Sequence, residues 1–92
     1  MNLDEDSIRE ALTSSQVPDH MHEGMIMYLL HGIIPGDFLT AVLENNLMAA
    51  CGRADAENQH RLFFYAMFLH NYVPRSAYGS PKKVTEWSEK RG

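Results

Sequence analysis

Glycine and proline punctuate this chain so often that only short helices fit between them. Gly32 ends one apolar run, Ile34-Pro35-Gly36 opens the next, Gly52 closes it, Val73-Pro74 stops a third and Ser80-Pro81 starts a last. Proline disfavours helical geometry at the residue before it, and glycine supplies the left-handed residue that closes a helix. Between the stops the apolar spacing is helical. It runs through Met21, Met25, Tyr28 and Leu29, then Leu39, Val42, Leu43, Leu47 and Ala50, then Leu62, Tyr65, Ala66 and Leu69, and finally Val84 and Trp87. No strand-like alternation of useful length and no repeat breaks the pattern. The expected fold is all-α, a small bundle of four to five short helices.

Residues 1–16 read as an acidic N-terminal arm or a short helix, and residues 17–92 as a single helical domain. Asp4, Glu5 and Asp6 favour a helix start electrostatically, with Ile8, Ala11 and Leu12 as a narrow apolar stripe. Gly24 inside the second helix implies close approach of another backbone. From Phe38 to Cys51 the pattern predicts one helix, in which Asn46 follows Val42 by four residues and so points inward. Asp55 is the expected cap of a long helix reaching about Tyr72. That helix carries a second stripe, Phe64, Met67 and Phe68, which leaves little of its middle polar. A helix apolar nearly all round is buried on several sides. Four short helices scarcely cover it, so these three residues are the expected interface of a homo-oligomer.

Composition removes several function classes. In 92 residues, 45% are hydrophobic and 22% charged, too apolar for a disordered chain and too polar for a bilayer. The richest apolar run, Leu62 to Leu69, is far shorter than the ~18 residues a spanning helix needs. Acids occupy the first ten residues where a secretory leader carries basic ones, and the single cysteine, Cys51, suits a reducing compartment, so a cytoplasmic location is expected. A net charge of −4 argues against a general nucleic-acid binder. So small a chain also struggles to enclose a deep active site.

The candidate chemistry is correspondingly thin. His20-x-His22-Glu23 resembles a metal cluster, but side chains two apart on a helix point away from each other, and no metal site is expected. Solvated histidines account for the pair better. Cys51, between Ala50 and Gly52, reads as a small buried residue rather than a nucleophile. No phosphate-binding loop, dinucleotide fingerprint or Gly-x-Ser-x-Gly is present, so neither a cofactor nor an enzymatic activity is expected.

Two polar groupings stand out. Asn45, Asn46, Arg53, Asp55 and Asn58 cluster at a helix–turn–helix corner, where they tie down loop carbonyls or, alternatively, face a ligand or partner. The stretch Pro74 to Lys83 is the stronger binding candidate. A helix N-terminus after Ser80 offers amide donors and partial positive charge. Gly79 permits close approach, Arg75, Lys82 and Lys83 supply charge, and Tyr78 a stacking face; Arg53 is a further charge for the same anion. The plainer account is that Ser80-Pro81 only starts a helix, Tyr78 packs on Trp87 and the lysines are solvated.

The run Gly32-Ile33-Ile34-Pro35-Gly36-Asp37-Phe38-Leu39-Thr40-Ala41-Val42-Leu43-Glu44-Asn45-Asn46-Leu47, followed by Arg53-Ala54-Asp55 with Asn58, then Pro74, Gly79-Ser80 and Trp87, resembles a family of small tailed-phage and prophage proteins. The resemblance covers the chain from about Met21 onward. Relatives often carry Asn-Asp in place of Asn45-Asn46 and Trp in place of Tyr78. The resemblance implies a phage-encoded accessory protein acting in the bacterial cytoplasm, where such proteins commonly counter host defence. The leading expectation is a non-enzymatic helical oligomer that sequesters a small anionic ligand, such as a cyclic nucleotide. The alternative is an anti-CRISPR-like inhibitor of a host defence protein, with Asp4–Asp6 and Glu10 mimicking nucleic acid. A small DNA-binding regulator using the Arg53 corner ranks third.

Overall fold

The computed structural model describes residues 3–92. Among them the chain forms helices and no strand: α1 (Glu5–Ser14), α2 (His22–His31), α3 (Asp37–Leu43), α4 (Leu47–Arg53), α5 (Ala56–Gln59), α6 (Leu62–Tyr72) and α7 (Pro81–Arg91). Short 3-10 turns occupy Asp19–Met21 and Arg75–Ala77. Seven helices replace the expected four to five because each of the two long central helices is broken.

The first break lies at Asn45-Asn46. Asn45 takes a left-handed conformation, φ 62°, which asparagine tolerates better than most residues. Its N–H bonds the Val42 carbonyl, while the Asn46 N–H reaches back to Ala41, the paired closure of a helix end. Asn46 then starts α4 by accepting from the Ala49 N–H at 3.1 Å. Asn46 is therefore exposed at a helix start, not inward-facing in a helix interior. The second break separates α5 from α6 at His60-Arg61. Asp55 caps α5 as its position suggests, its carboxylate accepting from the Asn58 N–H at 2.8 Å. No glycine or proline stands at this break. The turn instead places Asn58 inside, where its side-chain oxygen accepts from the Tyr65 hydroxyl, and both residues are fully buried.

α1 belongs to the same core. Asp4 accepts from the Ser7 N–H at 2.8 Å, and Ile8 and Leu12 are completely buried, with α1 against α2 and α6. Met25, Tyr28, Leu29, Leu43, Tyr65 and Phe68 fill the centre. Phe68 is thus a core residue, which removes it from any interface between copies. Phe64 and Met67 are half-buried, and it is Phe63, 67% exposed, that projects from α6. A radius of gyration of 11.8 Å matches the ~12 Å expected of a folded domain this size.

α7 is fastened to α2. Trp87 Nε1 donates to the Tyr28 carbonyl at 3.2 Å, and Ser88 Oγ to the Gly32 carbonyl at 2.5 Å. Gly32 ends α2 at φ 70°, and a methyl group there would sit 2.4 Å from the Ser88 carbonyl oxygen. Gly24 also marks a close approach, but of the Leu39 side chain rather than of backbone. Finally, the Tyr28 hydroxyl donates to the Ala77 carbonyl at 2.7 Å, anchoring the turn that precedes α7.

Candidate functional site

The break at Asn45-Asn46 opens a groove. Val42 of α3 and Leu47 and Ala50 of α4 form one wall, Leu62, Ala66 and Leu69 of α6 the other. Tyr78 and Gly79 close one side, Asn45 and Asn46 contribute amides, and the space measures about 260 Å³. The lining is mostly apolar, with a few polar groups, the usual composition of a small-molecule site. Ligand pockets generally start at roughly 300 Å³, so this groove suits one ring-sized group rather than a large molecule.

Tyr78 is half-buried, with an extended backbone, and the Gly79 N–H donates to the Leu43 carbonyl at 2.7 Å. That bond ties the loop to the end of α3. Gly79 has φ 120°, which turns the chain between Tyr78 and the start of α7. Ser80, Lys82 and Lys83 consequently line a different depression, with Glu86 and Trp87 among its walls. Gly79 lines the first and Lys83 the second, and a methyl group placed on Gly79 would lie 3.6 Å from Lys83 Nζ. The sequence-predicted anion corner is thus split between two concavities, with Tyr78 and Gly79 in the first and Ser80, Lys82 and Lys83 in the second.

The amide cradle at α7 is slight. Ser80 Oγ accepts from the Lys83 N–H at 3.2 Å, Val84 bonds the Ser80 carbonyl, and Pro81 has no N–H. That leaves the Lys82 amide in the first turn. Arg75 is exposed in its 3-10 turn and lines neither concavity. Arg53 lies elsewhere, with its guanidinium 3.0 Å from the Asp37 carboxylate beside a shallow depression that Asn46 also borders. Tyr78 stands against the groove rather than the lysines. Sequence periodicity did not single out the groove walls, since Val42, Leu47, Leu62 and Leu69 read simply as core.

Other polar groups have structural tasks. His22 is buried, with Nε2 2.7 Å from the Val17 carbonyl, so it is not the solvated side chain expected from the sequence. His20 is exposed and lies 3.2 Å from Asp55 and 3.7 Å from Glu57. The Asn58 N–H, and then His20, hold the Asp55 carboxyl below its usual range. Burial pushes the Tyr28 phenol up to about 12 and, with the negative charge of Asp55 and Glu57, raises that of Tyr65 as well. Asp4 is engaged as a cap, and Arg9 pairs with Glu5 and Glu23, which reduces the free acidic surface near the N-terminus. Cys51 is exposed at the end of α4 and not a small core residue. Among the described residues, no group of His, Cys, Asp and Glu is arranged to hold a metal, and no helix is long and apolar enough to cross a membrane. Comparison with known proteins yields no matching family model, no matching curated protein and no matching solved structure.

Proposed function

We propose that this chain is a non-enzymatic binding module whose groove takes the flat apolar part of a small anionic ligand of nucleotide type. The observation that carries the reading is the groove itself: about 260 Å³, walled by Tyr78 and aliphatic side chains and bordered by two carboxamides, with Gly79 between it and Lys83. A base-sized ring suits that volume, and a phosphate attached to it would draw on the Lys83 ammonium beyond Gly79. In the phage setting that the sequence resemblance implies, such a module sequesters a host nucleotide signal in the bacterial cytoplasm. Assembly of copies belongs to the same reading, with Phe63, Phe64 and Met67 supplying apolar contact area on α6; light scattering that finds only monomer at tens of micromolar removes that part.

Isothermal titration of cyclic and linear nucleotides tests the binding. Binding should weaken with added salt, because the phosphate–Lys83 attraction is partly screened. Tyr78→Ala and Lys83→Ala should each weaken it about tenfold or more, as expected for loss of a stacking face or a charge-assisted contact. Arg75→Ala should leave it unchanged, since Arg75 borders neither concavity. Silence across the panel overturns the nucleotide reading. It would favour the protein-inhibitor alternative, which the exposed Leu47, Met48 and Phe63 support better than the acidic N-terminus does.

A further inference from the structure

We infer that the exposed face of α7, with the Ile33-Ile34 loop beside its end, is a surface that rests on an anionic lipid bilayer. Charge is partitioned sharply along this chain. Of its eight lysines and arginines, five lie between Arg75 and Arg91, with only Glu86 and Glu89 of the twelve acids among them. The three cations outside that stretch are each committed: Arg9 to Glu5 and Glu23, Arg53 to Asp37, Arg61 to Glu57. Within it Lys82 stands 3.9 Å from Glu86, while Arg75, Lys83, Lys90 and Arg91 pair with no carboxylate among the described residues. Unpaired lysine and arginine charge is therefore confined to one segment of an otherwise acidic chain.

Apolar surface accompanies it. Ile33 and Ile34 are 51% and 48% exposed, although aliphatic side chains gain from burial. Gly32, just before them, lies so close to the last turn of α7 that a Cβ there would be 3.0 Å from the Arg91 Cβ. The two isoleucines thus leave α2 next to the end of α7 that carries Lys90 and Arg91. This combination selects the partner. A nucleic-acid backbone would use the cations and gain nothing from the isoleucines. An anionic bilayer uses both, with phosphates meeting the cations and aliphatic side chains entering the boundary between headgroups and acyl chains. The acidic remainder of the chain is repelled by the same lipid, which favours one orientation of docking. The contact is peripheral, since no helix among the described residues is long and apolar enough to cross a membrane. It is independent of what the groove binds.

Sedimentation with mixed phosphatidylglycerol–phosphatidylcholine vesicles, against phosphatidylcholine alone, tests the surface. The protein should pellet with the anionic vesicles only, and less so as salt is added. Lys90→Ala should weaken the partition about fivefold, the share of one cation near a charged leaflet. Ile34→Ser leaves the charge unchanged and should weaken it roughly tenfold through lost apolar burial. Both positions are exposed, so both variants should melt with the wild type, and Ile33→Ser replaces the second if it melts early. A short DNA duplex is the competing probe. Absence of pelleting with anionic vesicles, equal pelleting with neutral ones, or wild-type binding by the serine variant each overturns the proposal. Duplex binding alongside any of these outcomes assigns the cations to nucleic acid instead.

Discussion

The Tyr65–Asn58 pair offers the cleanest measure of what the α5–α6 break contributes. Both side chains are buried, Tyr65 at 0% and Asn58 at 1% exposure, and the hydroxyl donates directly to the amide oxygen. Tyr65→Phe removes that donor and little else. The ring stays, and with it the edge-on contact to Phe38 at 5.3 Å between centroids. The Asn58 oxygen is then left in the core without its donor, at a cost of about 1–3 kcal/mol. In a domain of this size each kcal/mol moves Tm by about 4–8 °C, so the variant should melt roughly 5–20 °C below wild type. Circular dichroism at 222 nm (the usual helix band) follows the melt. Combining Tyr65→Phe with Asn58→Leu should destabilise less than the sum of the two single changes, because neither polar group is then stranded. A Tyr65→Phe protein that melts within about 2 °C of wild type would refute the reasoning, since it would mean the buried oxygen finds water or another donor at no cost.

Two glycines should respond to alanine with opposite signs. Gly32→Ala forces a methyl group to 2.4 Å from the Ser88 carbonyl at a left-handed backbone and should cost at least about 2 kcal/mol, whereas Gly52→Ala meets nothing within 4 Å inside α4 and should gain roughly 0.5–1 kcal/mol; urea unfolding that gives the two changes the same sign rejects this account. Asp55 has its pKa lowered in the fold, so its stabilising contribution is complete above the ordinary carboxylate range and is lost as pH falls through the lowered value. Asp55→Asn keeps a capping oxygen but not that dependence, so its stability should fall less steeply with acid; coincident acid limbs would contradict the assignment.

The local helix signals succeed wherever one residue decides the outcome. Asp4, Asp55 and Ser80 cap α1, α5 and α7, and Gly32 closes α2, because each has a conformation or side-chain oxygen that little else provides at that place. They fail where tertiary packing decides. Gln59-His60-Arg61 would sit in a helix as comfortably as in a turn, and the turn follows from burying Asn58 against Tyr65. Phe68 fails for a related reason. Periodicity shows that α6 is apolar on two sides, but it does not distinguish a neighbouring subunit from the α1 helix of the same chain. The acidic segment Asp4–Asp6 hid the fact that Ile8 and Leu12 behind it are core.

The candidate site was illegible for a geometric reason. Arg75 to Lys83 is contiguous in sequence, so its charges and ring read as one corner. In an extended segment, side chains two apart share a side, which would place Tyr78 with Ser80. Gly79, at φ 120°, cancels that relation, sending Tyr78 to the α6 groove and Ser80 with Lys82 to the face of α7. The opposite wall depends on a second backbone reversal. Had α3 and α4 formed one continuous helix, the Ala49 N–H would bond a backbone carbonyl and the Asn46 carboxamide would have no cap to make. Asn45 in its left-handed conformation both ends α3 and leaves Asn46 to start α4 at the groove. One residue therefore decides where the helix stops and where the groove opens, and a helical period carries no mark of it.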